Sequence, residues 1–283
     1  MEPQSPESTE KTPSQVAAAQ PAVKTYAQLT PENVPGYLQK HGGEKYLSTN
    51  PSAWKAVEIG DGNLNFIFHV KAGEGDGHEV CVKQAPPFIK VVPGFPLPQQ
   101  RIGCEADYLL EATRRIPGSV PKVLIWNEQT AKNGVMVMEW LPQMQVLRHL
   151  MSQSADNVQK MKDFVGAKIG SYLAKMTFFT SELCLSSSEK KEYMSRYANR
   201  NTKMCHLQEE VVYTCPFQDK PSFPNNWLSP ELDAVAQAVR EDVELRLAVG
   251  EVKQRFLNNA EMLSHGESGT FPLKPGSRLG CGQ

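Results

Sequence analysis

The chain lacks several features that would fix its class at once. No apolar run approaches the roughly 20 residues of a membrane-spanning helix. The first residues, MEPQSPESTEKTPSQ, have no apolar core and carry early glutamates, which argues against both a secretory signal and a transit peptide. The six cysteines (Cys81, Cys104, Cys184, Cys205, Cys215, Cys281) include no C-x-x-C pair, so they read as reduced thiols, several of them in the core, rather than a metal knuckle or a disulfide framework. Excess charge is missing too: 30 Lys and Arg offset 31 Asp and Glu, for a net charge of -1. That balance gives no electrostatic case for nucleic acid or an anionic membrane. The short basic runs Arg114-Arg115 and Lys190-Lys191 read as solvated faces. These absences leave a cytoplasmic protein of ordinary composition, long enough at 283 residues for one large domain or two lobes.

What is present divides the chain. Residues 1–24 are rich in Pro, Ser, Thr, Glu, Gln and Ala and cannot bury enough apolar surface to offset the entropy of ordering, so a disordered tail is expected there. Thr30-Pro31-Glu32-Asn33 has an N-cap residue followed by Pro, and a short helix should run from it to Gly42-Gly43. WKAVEIG, NFIFHVKA and HEVCVKQA are three β-rich runs, the first two separated by Asp61-Gly62-Asn63 and the last two by GEGDG. A Pro-rich connection leads to FPLPQQRIGCEADYLLEATRRIPG, which reads as a helix stopped by Pro117-Gly118. KVLIWNEQ and GVMVMEWL read as two more strands. Short turns imply antiparallel pairing. The fold class is therefore α+β: a five-stranded antiparallel N-terminal lobe over 25–141 and a helical lobe from 142, the plan of a bilobal protein-kinase-like fold. In the second lobe FVGAKIGSYLAKMTFFTSEL repeats apolar residues at helical spacing (Phe164, Ile169, Leu173, Met176, Phe179, Leu183). A further helical region opens with Ser229 as N-cap before Pro230 and runs to Leu263.

Three features could do chemistry together. Gly60 and Gly62, in IGDGNLNFIF, sit in a tight turn between two strands, where backbone N–H groups can approach phosphates. The turn is G-x-G rather than the full G-x-G-x-x-G, and an ordinary type I′ hairpin fits the same residues. Lys83 lies on the third strand, where kinase-like folds place the lysine that holds the α/β-phosphates and pairs with a glutamate on the next helix; Glu105 and Glu111 both lie on that helix. A surface lysine on an edge strand is the alternative. Glu139-Trp140-Leu141 ends an apolar strand before Pro142, as a segment binding adenine through its backbone would, and as a buried strand leaving the core would equally.

With these residues in place the sequence resembles the S-methyl-5-thioribose kinases, of the aminoglycoside-phosphotransferase and protein-kinase-like superfamily. The resemblance is carried by IGDGNLNFIFHV, VKQAPPFIKVV, FPLPQQRIGCEA, VMVMEWL, AKMTFFTS, VVYTCPF and LSPELDAVAQAVREDVELRLAVGEVK, and it runs from about residue 25 to Gly266. It implies ATP-dependent phosphorylation of S-methyl-5-thioribose to its 1-phosphate in methionine salvage, with ATP and Mg²⁺ as cofactors and the small sugar as partner, and it leaves a homodimer open. By resemblance, Asn63 is the nucleotide-contacting asparagine, Lys83 the phosphate-binding lysine, Glu105 its helix partner, and Glu139, Trp140 and Leu141 the adenine segment. Phe95 stands where the family commonly has Trp.

The family's catalytic loop reads L-I-H-G-D-L-H-T-G-S. Here it reads L-S-H-G-E-S-G-T, so His265 and Gly266 match and Glu267 takes the place of the catalytic Asp. The family's metal-binding D-P-E and later substrate-binding arginines find no counterpart in 267–283, so no residue is assigned to metal. Gly266-Glu267-Ser268 can be encoded by codons that contain a splice-donor sequence. The expectation is a C-terminally truncated or mis-spliced chain with an incomplete helical lobe over 142–266 and impaired catalysis. Two alternatives stay open: a non-catalytic ATP-binding pseudokinase, and a kinase of the same superfamily acting on another small alcohol such as choline.

Overall fold

The computed structural model describes residues 26–60, 62–73, 77–142, 145–146, 152–153, 165–218, 227–263 and 272–273. The expected tail over 1–24, most of the expected tail over 267–283, and Phe164 and Glu267 lie outside them. In chain order the first elements are α1 (Val34–Lys40), β1 (Lys55–Glu58), β2 (Phe66–Lys71), β3 (Glu79–Gln84), a hairpin of β4 (Phe88–Ile89) and β5 (Val92–Pro96), α2 (Arg101–Arg115), β6 (Val123–Ile125), α3 (Glu128–Lys132) and β7 (Val135–Glu139). Five strands form one antiparallel sheet in the order β1-β2-β3-β7-β6. The β4–β5 hairpin, inside the Pro-rich connection, and the short α3 were not expected from the sequence. α3 has a local signal, because Asn127 and Thr130 cap it reciprocally.

Strand alternation gives the sheet two faces. Phe66, Phe68 and Val70 of β2, Val80 and Val82 of β3, and Val135 and Val137 of β7 are buried on one face with Val34 and Leu38 of α1. Gln84, also buried, pins the start of the described chain to the sheet: its Oε1 accepts from the Leu29 amide at 2.8 Å and its Nε2 donates to Ala27 O at 2.9 Å. The other face carries Met136, which packs with Ile102, Ala106, Leu109 and Ala112 of α2.

The helical part begins after a two-residue ribbon, β8 (Gln145–Val146) with β9 (Pro272–Leu273). Its helices are α4 (Gly170–Thr180), α5 (Ser187–Tyr193), α6 (Thr202–Gln208), α7 (Asp233–Glu241) and α8 (Val243–Asn258), with wide π-helical turns before α4 and after α5 and α6. Ser186 and Glu189 form the capping box that starts α5. The molecule is thus an α+β protein of kinase-like plan, a five-stranded antiparallel sheet followed by a helical part. Among the described residues no helix is long and apolar enough to cross a membrane.

Three local expectations need correction. Thr30 does not cap α1 directly. Its carbonyl accepts from the Asn33 and Val34 amides, while Asn33 Oδ1 takes the Thr30 N–H at 2.8 Å, so a turn precedes the helix and Asn33 flanks it. The buried stripe of α4 is Tyr172, Met176 and Thr180, whereas Leu173 and Leu183 are 36% and 72% exposed. The stripe is set by what it meets: the Tyr172 hydroxyl lies 2.6 Å from that of Tyr108 on α2. The last helical region is two helices, because Asp242 turns extended (ψ 103°) and its carboxylate then caps α8 by accepting from the Leu245 amide at 2.9 Å. Leu232, rather than Ser229, flanks the start of α7.

Candidate functional site

The face of the sheet turned toward α2 collects the candidate residues. Pairing sets Lys83 opposite Ile67 on β2 and Met136 on β7, and it sets Cys81 opposite His69 and Met138. Lys83 Nζ donates to Glu105 Oε1 at 2.5 Å, with the lysine side chain 17% and the glutamate 33% exposed. Of the two glutamates on α2, it is Glu105, the one the family resemblance named, that meets Lys83. Six residues of helix turn a side chain about 240°, so Glu111 points elsewhere. It is buried and accepts hydrogen bonds from Arg114, Arg115 and Tyr193.

The glycine turn joins β1 to β2 at one end of this face; Asp61 lies outside the described residues. Its two glycines differ. A Cβ on Gly60 would meet no protein atom within 4 Å, so the backbone there is open to a ligand. A Cβ on Gly62 would lie 2.7 Å from Asn65 O and 3.4 Å from the Ile67 side chain. Gly62→Ala is therefore expected to displace the turn and lower stability by about 1–3 kcal/mol, whereas Gly60→Ala should leave the unfolding midpoint unchanged. Equal midpoints for the two variants in urea would overturn that distinction. Asn63 is exposed, and its carbonyl accepts from the Val91 amide at 3.1 Å, which seats the β4–β5 hairpin against the turn. Lys90, at the tip of that hairpin, donates to Glu58 Oε1 at 2.5 Å and lies 5.1 Å from the Phe66 ring centre.

Arg101, at the first position of α2, is the residue that the sequence reading missed. It is 7% exposed. Its guanidinium donates to Asn65 Oδ1 at 2.8 Å, Leu64 O at 3.1 Å and Pro86 O at 2.7 Å, and also to Leu97 O and Pro98 O. Burial lowers its pKa to about 10, against the opposing pull of Glu105 and Tyr26, and the group stays charged at neutral pH. The available signal was weak: a cation in the first turn of a helix, where the dipole favours an anion.

At the far end, Glu139 joins β7 to the segment before β6. Its amide donates to Lys122 O at 2.8 Å, and its carboxylate accepts from the Lys122 amide at 3.2 Å. Trp140 stacks on His69, with ring centres 3.7 Å apart and planes 11° apart. His69 Nε2 is 3.2 Å from Glu79 Oε2, close enough for ion pairing but off the line of a good hydrogen bond. Burial lowers the His69 pKa despite Glu79, which favours a neutral ring in the stack. Cys81, under the same face, is buried, and burial pushes its thiol up to about 12. It is an inert, apolar wall rather than a nucleophile. Leu141 follows Trp140 half-buried, and Phe95 packs in a small core formed by Ile89, Leu97 and Leu207. His265 and Glu267 lie outside the described residues. Among the described residues, the one group with metal-ligand spacing is His206, Glu209 and Glu210. Lys253 already holds Glu209 at 2.9 Å, and we assign no metal there.

No family model matches the chain. Among curated proteins it is 34% identical over 243 residues to the methylthioribose kinase of Pectobacterium atrosepticum, a match covering 86% of this chain and 56% of that protein. It is 31% identical over 251 residues to the methylthioribose kinase of Escherichia coli O45:K1, covering 86% of this chain and 55% of the relative. It is 36% identical over 213 residues to the methylthioribose kinase of Yersinia pseudotuberculosis serotype I, covering 75% and 49%. The chain spans about half the length of the curated relatives it matches. Similarity of that extent takes in the strands and the helices alike, and it makes the chain a member of the methylthioribose kinase family.

Proposed function

We propose that this chain carries the nucleotide site of an ATP-dependent S-methyl-5-thioribose kinase that forms the 1-phosphate in methionine salvage in the cytoplasm. The observation that carries the reading is the Lys83–Glu105 pair on the sheet face beside an open Gly60 backbone. Lys83 would hold the phosphates as a point charge, Glu105 would aim it, and the amides around Gly60, Gly62 and Asn63 would cradle the phosphate oxygens. The base would lie against Cys81 and Met138, with its polar edge on the backbone of Trp140 and Leu141, because the Glu139 amide is already spent on Lys122. Mg²⁺ would neutralise the phosphate charge when bound; no described residue is assigned to it. Glu267, at the family's catalytic Asp position, would orient the acceptor hydroxyl. Its extra methylene moves the carboxylate by about an ångström, a shift that can be costly in an active site; together with the unmatched D-P-E and arginines of the family pattern, it makes impaired turnover part of the proposal.

The test is calorimetry with ATP followed by an ADP-release assay with S-methyl-5-thioribose and, in parallel, choline. The reading expects ATP binding and sugar-dependent ADP release, faster after Glu267→Asp. A folded chain that does not bind ATP would refute it. Faster release with choline would refute the acceptor. ATP binding without acceptor-dependent release would instead support the non-catalytic ATP-binding reading.

A further inference from the structure

We propose that Arg101 is a positioning residue for the phosphate-binding turn, acting on the turn from behind as Glu105 acts on Lys83; the inference rests on the nucleotide reading above. Arg101 and Glu105 are four residues apart on α2 and so share one face of the helix. Glu105 reaches Lys83 on β3, and Arg101 reaches Leu64 and Asn65 at the end of the glycine turn. One helix therefore fixes both halves of the phosphate site, the cation and the backbone cradle.

The contacts suit that task. A guanidinium presents donors in a rigid planar fork, and here two of them, Nε at 3.2 Å and Nη2 at 2.8 Å, converge on the single Asn65 Oδ1. Its Nη1 is committed to the backbone oxygens of Pro86, Leu97 and Pro98, which come from the ends of the β4–β5 hairpin segment and the entry to α2. The turn, the hairpin and the helix start thus meet on one cation. The hairpin closes the other side through Val91 N–H to Asn63 O and through Lys90 to Glu58. None of these groups points to a second ligand. Their shared effect is to hold Gly62 and Asn63, the described residues at the β2 side of the turn, in place before any phosphate arrives, and that preorganisation lowers the cost of binding.

A lysine at position 101 keeps the charge but cannot satisfy the fork. Asn65→Ala removes the turn's end of the clamp and leaves Arg101 its bonds to Pro86, Leu97 and Pro98. The experiment measures ATP, ADP and adenosine affinity by calorimetry or competition, and urea unfolding, for the wild type, Arg101→Lys, Asn65→Ala and the double variant. Both single variants should bind ATP and ADP about tenfold more weakly and adenosine unchanged, and the double variant should be no worse than Arg101→Lys, because the two residues act as one unit. If Arg101→Lys fails to fold, Asn65→Ala decides the matter. Unchanged ATP affinity in folded Asn65→Ala, or equal weakening of ATP and adenosine, would overturn the inference and leave Arg101 a packing residue. A wild-type chain that binds no ATP would overturn the nucleotide reading and this inference with it, a failure recognisable because no substitution is needed to see it.

Discussion

Replacing Lys83 with Met is expected to weaken ATP binding by about 10- to 100-fold while the protein stays folded. A hydrogen bond to a charged group contributes about 1.5–3 kcal/mol, and each 1.4 kcal/mol is a tenfold change in affinity. The aliphatic stem of Lys83 lies in register between Ile67 and Met136, so methionine keeps the packing and removes the ammonium alone. Adenosine, which has no phosphate, should bind as before. Glu105→Gln leaves the ammonium in place but releases its aim, so its effect on ATP should be smaller than that of Lys83→Met. Should calorimetry find ATP affinity unchanged in Lys83→Met, the ion pair is structural and the phosphate site lies elsewhere.

Glu111→Gln is expected to cost about 2–4 kcal/mol of stability, more than any surface change, without touching nucleotide affinity. Glu111 is 7% exposed, and its carboxylate joins α2 to the helical part. Arg114 Nη2 and Arg115 Nε reach it at 2.5 and 2.7 Å, and the Tyr193 hydroxyl donates to it from α5. Removing one partner of a buried charge cluster leaves the others uncompensated, and Arg115 has little water to fall back on at 18% exposure. The same group predicts a pH dependence. Burial raises the carboxyl pKa, and the bonds from Arg114, Tyr193 and Arg115 reverse this and hold it at about 2, below the ordinary 4.5. A depressed folded-state pKa means that the stabilisation is complete above about pH 4.5 and drains away as the pH falls toward 2. Urea midpoints from pH 6 down to pH 3 should therefore drop more steeply in the wild type than in Glu111→Gln. Parallel curves would show that another carboxylate governs the acid limb.

Local patterning was sufficient for much of this molecule. Alternation in NFIFHVKA and HEVCVKQA, and the turn residues between them, determined that there are strands, that they pair antiparallel, and that Lys83 lies on the opposite face from Val80 and Val82. The Pro117-Gly118 stop likewise gave the end of α2, because helix signals act within a few residues of one another, whereas Phe95 and Pro96, read with the helix, end β5 and α2 begins only at Arg101. Partner choice was decided only in three dimensions. Helix patterning leaves Glu105 and Glu111 equivalent, and only the family resemblance favoured Glu105; the docked helix brings Glu105 to Lys83 and Glu111 to Tyr193. The buried stripe of α4 shifted to Tyr172 because a hydroxyl on α2 was waiting for it. Arg101 shows the same limit most fully. Its acceptors at positions 64, 65, 86, 88, 97 and 98 belong to segments that no short-range pattern relates, and they converge only when the turn, the hairpin and the helix pack, since a buried guanidinium is tolerated only where all of its donors are met at once.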